Sequence, residues 1–230
     1  SGIHKGKLNK WGSEIDTNRF DSSFKIGYVF PHIPYQSFGF QIAFSDHDQQ
    51  AYYGIRNYNI NQKSFYSNLL FNSIIGNTQN KFKVGINYSY DQYDENVDSL
   101  QYQRLDKNIG SFFELTHDNG INFSWIAGVR LDYHNNIGTF FTPRLHIRFV
   151  LIDDIVLRLS SGVGRKAANI FAENQNLFST ARKINIQSNG GLIYGLNPEK
   201  AWNYGLGLTK TFYISNTHQL SAFMDYYITC

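Results

Sequence analysis

Six ionisable side chains fall at alternate positions of three neighbouring segments: Arg130 and Asp132, then Arg144, His146 and Arg148, then Arg158. Successive side chains of an extended chain point to opposite faces, so this spacing puts all six on one side of a sheet. Guanidinium, imidazole and carboxylate groups so placed can do one of two things. They can form an ion-pair network with one another and with whatever fills the space they face, or they can hold an anionic ligand along a basic track. A second set lies in the long polar stretch 165–197: Arg165, Lys166, Asn169, Phe171, Glu173, Asn174, Phe178, Arg182, Lys183 and Tyr194. Cations, amides and rings mixed in a loop on a rigid scaffold suit a bulky polar ligand such as a metal chelate or a glycan. Packing of that loop against its scaffold accounts for part of the same set.

Other chemistries find little support. The histidines at 4, 32, 47, 117, 134, 146 and 218 include no pair at metal-ligand spacing, so no metal centre is expected. Gly162-Val163-Gly164-Arg165-Lys166 lacks the Gly-Lys-Ser/Thr ending of a phosphate loop. No nucleophile elbow or carboxylate pair stands in a defined context, so the chain is not expected to be an enzyme or to carry a cofactor. The lone Cys230 cannot form an internal disulfide. A net charge of +3, dispersed along the chain, argues against nucleic acid as a partner.

The elements that must position these groups are strands. Phe82, Val84, Ile86, Tyr88 and Tyr90 alternate with Lys83, Gly85, Asn87 and Ser89, a period of two that gives one apolar and one polar face. The same split recurs at Phe123–Tyr133. The pattern predicts strands at 20–30, 36–47, 58–75, 80–93, 103–117, 121–134, 139–150, 154–164, 199–213 and 218–229. Between them the reading alternates short and long connections. Short turns fall at 31–35, 76–79, 117–120, 152–154 and 215–217, long ones at 46–57, 93–102 and 165–199, and one of middling length at 134–138. Tight turns confined to one end argue against a Greek-key sandwich and for a membrane barrel with short turns on one side and long loops on the other. Aromatic residues near strand ends on the apolar face (Tyr28, Phe30, Tyr88, Tyr90, Tyr133, Phe141, Trp202, Tyr204, Tyr226) suit interfacial girdles. Charges facing lipid would cost about 2–4 kcal/mol each at the midplane, so the six-residue set must face inward. No run of about 18 apolar residues is present, so no membrane-spanning helix is expected.

Three stretches bring a family resemblance. Ala127-Gly128-Val129-Arg130-Leu131-Asp132-Tyr133-His134, with Phe141-Thr142-Pro143-Arg144-Leu145-His146-Ile147-Arg148, resembles a hairpin of TonB-dependent outer-membrane receptors of the Bacteroidetes-like kind. Leu157–Asn169 is similar to the family's strand and entry to a long loop, and Asn197-Pro198-Glu199-Lys200-Ala201-Trp202-Asn203-Tyr204-Gly205 to a third family segment. The resemblance implies an all-β antiparallel up-and-down meander of about ten strands, part of a 22-stranded transmembrane β-barrel closed around a plug. Residues 1–230 are then expected to be a partial β-barrel domain, with the plug and the remaining strands outside the sequence. It further implies a bacterial outer-membrane receptor that captures a scarce nutrient, a siderophore-type metal chelate or similar, and imports it with TonB-derived energy. Its implied partners are outer-membrane lipid, the nutrient, and the TonB complex through the plug region. A passive porin-like channel, with a loop folded into its pore, and a soluble β-rich ligand-binding protein remain as alternatives.

Overall fold

The computed structural model describes residues 10–152, 154–180, 182, 184–215 and 217–230. Ten strands follow one another: β1 (Ser13–Val29), β2 (Ser37–Tyr53), β3 (Arg56–Ile75), β4 (Asn77–Val97), β5 (Leu100–Asp118), β6 (Phe123–His134), β7 (Gly138–Ile152), β8 (Ile155–Lys166), β9 (Glu199–Ser215) and β10 (His218–Thr229). Each pairs antiparallel with the next, in sequence order, in one ten-stranded sheet. The predicted meander is therefore present, strand for strand.

Registration carries the alternation across the sheet. Ile26, Phe40, Leu69, Ile86, Ser111, Leu131 and Phe141 lie opposite one another in a single transverse row. The neighbouring row of Lys25, Gln41, Asn68, Asn87, Gly110 and Asp132 belongs to the other face. A slip of one residue would exchange the two faces. The apolar face is uncovered: Ile86 is 56% exposed and Leu131 51%. A continuous apolar surface this wide is rare on a soluble monomer, and the described strands form one sheet with no second sheet against that face. Rings cross the short-turn end of that face in a chain, Tyr28–Phe30–Phe38–Phe71–Phe82–Phe113, with centroids 4.8–6.2 Å apart. Phe20–Phe44, Phe65–Tyr88 and Trp202–Tyr204 mark the opposite border. From Phe82 to Tyr90 the strand runs about 26 Å. Tilted by the roughly 35–45° usual in such barrels, that is about 20 Å of height, on the scale of an apolar band about 25 Å tall. No helix is long and apolar enough to cross a membrane.

The expected long connections at 46–57 and 93–102 are not loops. β2 and β3 continue to Tyr53 and Arg56 and turn through Gly54-Ile55; β4 and β5 continue to Val97 and Leu100 and turn through Asp98-Ser99. Gly54 takes φ +62°, a left-handed conformation that glycine adopts without strain. Tight turns thus occur at both ends, and the only long connection among the described residues is the one between β8 and β9. Four strands therefore rise roughly 20 Å past the apolar band. The sequence reading stopped β2 at 47 and β4 at 93, soon after the outward apolar residues stop, whereas its 58–75 and 103–117 come within two or three residues of the ends of β3 and β5. Beyond the apolar band the alternation continues with its polarity reversed. Asp46, Asp48, Asn59, Asn61, Gln92, Asp94, Gln101 and Gln103 share the outward face, and Ala51, Tyr53, Tyr58, Ile60, Tyr93, Val97 and Tyr102 the inward one.

Candidate functional site

That reversal creates the only hydrophobic core formed by the described residues, and it sits above the apolar band, on the inner side of the rim. The 167–198 connection from β8 carries α1 (Ile170–Glu173) and a 3₁₀ turn, Gln175–Ser179. It crosses back over the inner face of β3–β5. Phe171 (0% exposed) and Phe178 (1%) enter a cluster with Tyr58, Ile60 and Val97. Phe178 stacks on Tyr53 at 5.3 Å and on Tyr58 at 5.0 Å, and Phe171 meets Tyr102 at 5.3 Å. Aromatic pairs in this geometry add to the area they bury.

Three charged side chains fasten the connection. Arg56 donates from Nε to the Thr180 carbonyl at 2.7 Å, from Nη1 to Asp98 at 2.9 Å, and from Nη2 to the Arg182 carbonyl. Arg104 donates to the Ala168 carbonyl at 2.9 Å and to Asn169 Oδ1. Its guanidinium lies 4.1 Å from the Tyr93 ring centre, and its Nε lies 2.9 Å from Asp106, an ion pair without hydrogen-bond alignment. Glu95, 2% exposed, accepts from Tyr58 Oη at 2.9 Å and from Tyr194 Oη. Burial beside that carboxylate pushes both phenols well above the usual tyrosine range, so they remain donors.

Lower on the inner face a second network spans three strands. Arg130 donates to both oxygens of Asp132 (2.6 and 2.5 Å) and to Asn87 Oδ1 (2.7 Å), while Asn108 donates to Asp132 at 2.8 Å. Gly110 makes this possible: a Cβ there would collide with Asp132 and would lie 2.6 Å from Arg130 and 2.7 Å from Asn87. Gly128 likewise lets Arg144 lie across β6 to reach Glu114, which also pairs with Lys83 at 3.4 Å. Side chains therefore lean over glycines of the adjacent strand.

The two residue sets read from the sequence divide accordingly. In the inner-wall set, Arg130, Asp132 and Arg144 are internally paired. Arg158 donates to Thr209 Oγ1 at 2.7 Å, and His146 and Arg148 are exposed on the inner face. In the loop set, Asn169, Phe171, Phe178 and Tyr194 anchor the connection to the wall. Arg165 and Lys166 belong to β8. Arg165 lies 5.5 Å from the Phe140 ring centre, Lys166 pairs with Glu173, and Arg182 offers its carbonyl to Arg56 while its side chain is exposed. Lys183 lies outside the described residues. Sequence reasoning missed Arg56, Glu95, Tyr58 and Arg104. Their signal was the change of phase along β3–β5, where apolar residues move to the face that is polar lower down. Among the described residues no cluster of three metal-ligating side chains occurs.

A sheet of this kind has relatives. The chain is similar to the copper transporter OprC (TM-score 0.66, 15% identity, 98% of this chain and 39% of that one). It is similar to the ferric enterobactin receptor PfeA of Pseudomonas aeruginosa (0.67, 12%, 93% and 35%). It is also similar to the hemophore receptor HasR of Serratia marcescens, solved with its hemophore and heme (0.70, 11%, 94% and 40%). At these identities the likeness is one of fold, and the chain spans about two fifths or less of each. No curated protein sequence matches it. Residues 5–229 match the family model described as TonB dependent receptor-like, beta-barrel. With its ten-stranded meander and two ringed borders, the chain belongs to the TonB-dependent receptor β-barrel family.

Proposed function

We propose that this chain forms part of the wall and rim of a bacterial outer-membrane receptor that captures a scarce nutrient and imports it with TonB-derived energy. The observation that carries this reading is the inner rim. A 32-residue connection (167–198) is fixed over the mouth on the polar side of a wall whose other face is apolar. Ligand capture by such receptors needs groups held rigidly at the entrance, and loops on a rigid scaffold supply them. Of the candidate set, Arg165 and Lys166 at the end of β8 and Glu173, Asn174 and Arg182 in the connection are exposed, with Lys183 beside Arg182 in sequence. A mixed cationic and polar surface suits an anionic metal chelate such as a siderophore. The names of two structural neighbours, a copper transporter and a ferric enterobactin receptor, support a metal-linked nutrient. Residues 1–230 are in this reading a partial barrel domain. TonB engages the plug region, and no catalysis is assigned.

One observation favours a second reading. A connection packed against the inner wall is also what a passive channel would use to narrow its pore. The full-length protein, expressed in a host lacking its own siderophore receptors, separates the two. Saturable uptake of a labelled ferric siderophore that disappears in a TonB-deficient host supports the receptor. Uptake of small solutes that is unsaturable and unchanged without TonB supports the channel.

A further inference from the structure

We propose that Arg148 and Arg158 form a two-guanidinium clamp for an oxyanion, a carboxylate or a phosphate group, near the short-turn end of the inner wall. The proposal rests on reading the polar face as the interior of a barrel.

Arg148 and Arg158 are direct cross-strand partners on β7 and β8. Like charges directly opposite in a sheet repel. Another such pair on this wall, Asp91 opposite Asp106, is relieved by Arg104, whose Nε lies 2.9 Å from Asp106. Arg130 has Asp132, and Arg144 and Lys83 share Glu114. Arg148 and Arg158 take part in none of the ion pairs among the described residues. Arg158 has one neutral partner, the Thr209 hydroxyl. The same row continues to Gly207 and then to Asp225 on β10. Asp225 leans over Gly207 and takes part in none of the ion pairs among the described residues.

Space is left for a guest. Gly207 has no side chain, and a cavity of about 490 Å³ runs along the row, lined by His146, Arg148, Arg158, Gly207, Asp225 and Tyr227. His146 adds a third group one step along, opposite Ser160. Two planar guanidinium forks facing one open space match the paired oxygens of a carboxylate or phosphate better than separate point charges would.

The oxyanion can come from an acidic side chain of polypeptide filling the barrel or from a free anion. The test uses the full-length protein in detergent and compares wild type with R148Q, R158Q, R148K/R158K and D225N. Thermal unfolding is followed without and with inorganic phosphate. A free-anion site gives a saturable rise in Tm with phosphate in wild type, weakened at least tenfold in R148Q and R158Q. An internal carboxylate gives no phosphate response but a lower Tm in both glutamine variants, relieved little by added salt. R148K/R158K keeps both charges and loses the forks, so it guards against a simple folding defect, and it should reproduce the loss in part. Arginine variants that all keep the wild-type Tm, together with no phosphate response in the wild type, overturn the clamp. So does a D225N variant that reproduces the R158Q defect, since Asp225 would then be the counter-ion. Siderophore uptake is scored separately, so a failed receptor reading leaves this result intact.

Discussion

Gly110 shows how closely the inner wall is fitted residue by residue. A side chain there would occupy the space in which Arg130, Asp132 and Asn87 meet, and Asp132 is only 2% exposed. Gly110→Val should therefore break the network by overpacking, at about 1–3 kcal/mol, read as an earlier thermal unfolding of the detergent-solubilised protein. Gly164→Ala is the control, because nothing lies within 4 Å of the added methyl; its Tm should match wild type. Tyr194 invites a second substitution. Its hydroxyl donates to Glu95, a buried carboxylate that also takes the Tyr58 hydroxyl. Tyr194→Phe leaves Glu95 with one donor, a loss of about 1.5–3 kcal/mol for a hydrogen bond to a charged group. Because Tyr194 belongs to the loop and Glu95 to β4, the defect should appear as a loosened loop in hydrogen exchange of residues 184–196, with β3–β5 still protected.

At the scale of elements, the 167–198 connection is held by its rings. Phe171→Ala or Phe178→Ala removes a fully buried aromatic and should cost about 3–5 kcal/mol. That cost falls on docking of the connection, because the wall strands keep their own ladders. Limited proteolysis of the full-length protein should cut within 170–190 at least a hundredfold faster, while the barrel resists as before; cleavage no faster than wild type would show the cluster to be dispensable for docking. The strands themselves were legible in sequence because their period of two is uninterrupted, as in Phe82–Tyr90 and Phe123–Tyr133. Their true lengths were not. Ala51-x-Tyr53 on β2 and Tyr93-x-Glu95-x-Val97 on β4 keep the same period, but their apolar members lie on the opposite face, so a reading tied to one apolar face ends those two strands early. The loop was legible as a polar stretch. Which of its residues are anchors was not, because Phe171, Asn169 and Tyr194 acquire that role from Tyr58, Arg104 and Glu95, between 65 and 113 positions earlier in the chain.

The whole molecule is defined by two faces that cannot be exchanged. Ile86 and Ser89 stand three residues apart on β4, one on the apolar face midway between its ringed borders and the other on the polar face. In lipid, Ile86→Lys places a cation at the middle of the hydrocarbon, at about 2–4 kcal/mol. Ser89→Lys places the same charge in a polar interior beside Asp91 and should cost much less. In the full-length protein expressed in a bacterial host, Ile86→Lys should reduce the folded, heat-modifiable form recovered from the outer membrane several-fold, and Ser89→Lys should leave it near wild type. Equal yields from the two variants would mean that the apolar face does not meet lipid. The same logic applies to the ends of the sheet. β1 and β10 each pair on one side only, so residues 1–230 alone would present two rows of unpaired backbone groups to lipid, where each costs several kcal/mol. A polypeptide of these 230 residues should therefore give no discrete conductance in a planar bilayer and should associate through its edges. A stable monomeric channel would require β1 and β10 to meet, and with them a barrel of far smaller circumference than its structural relatives use.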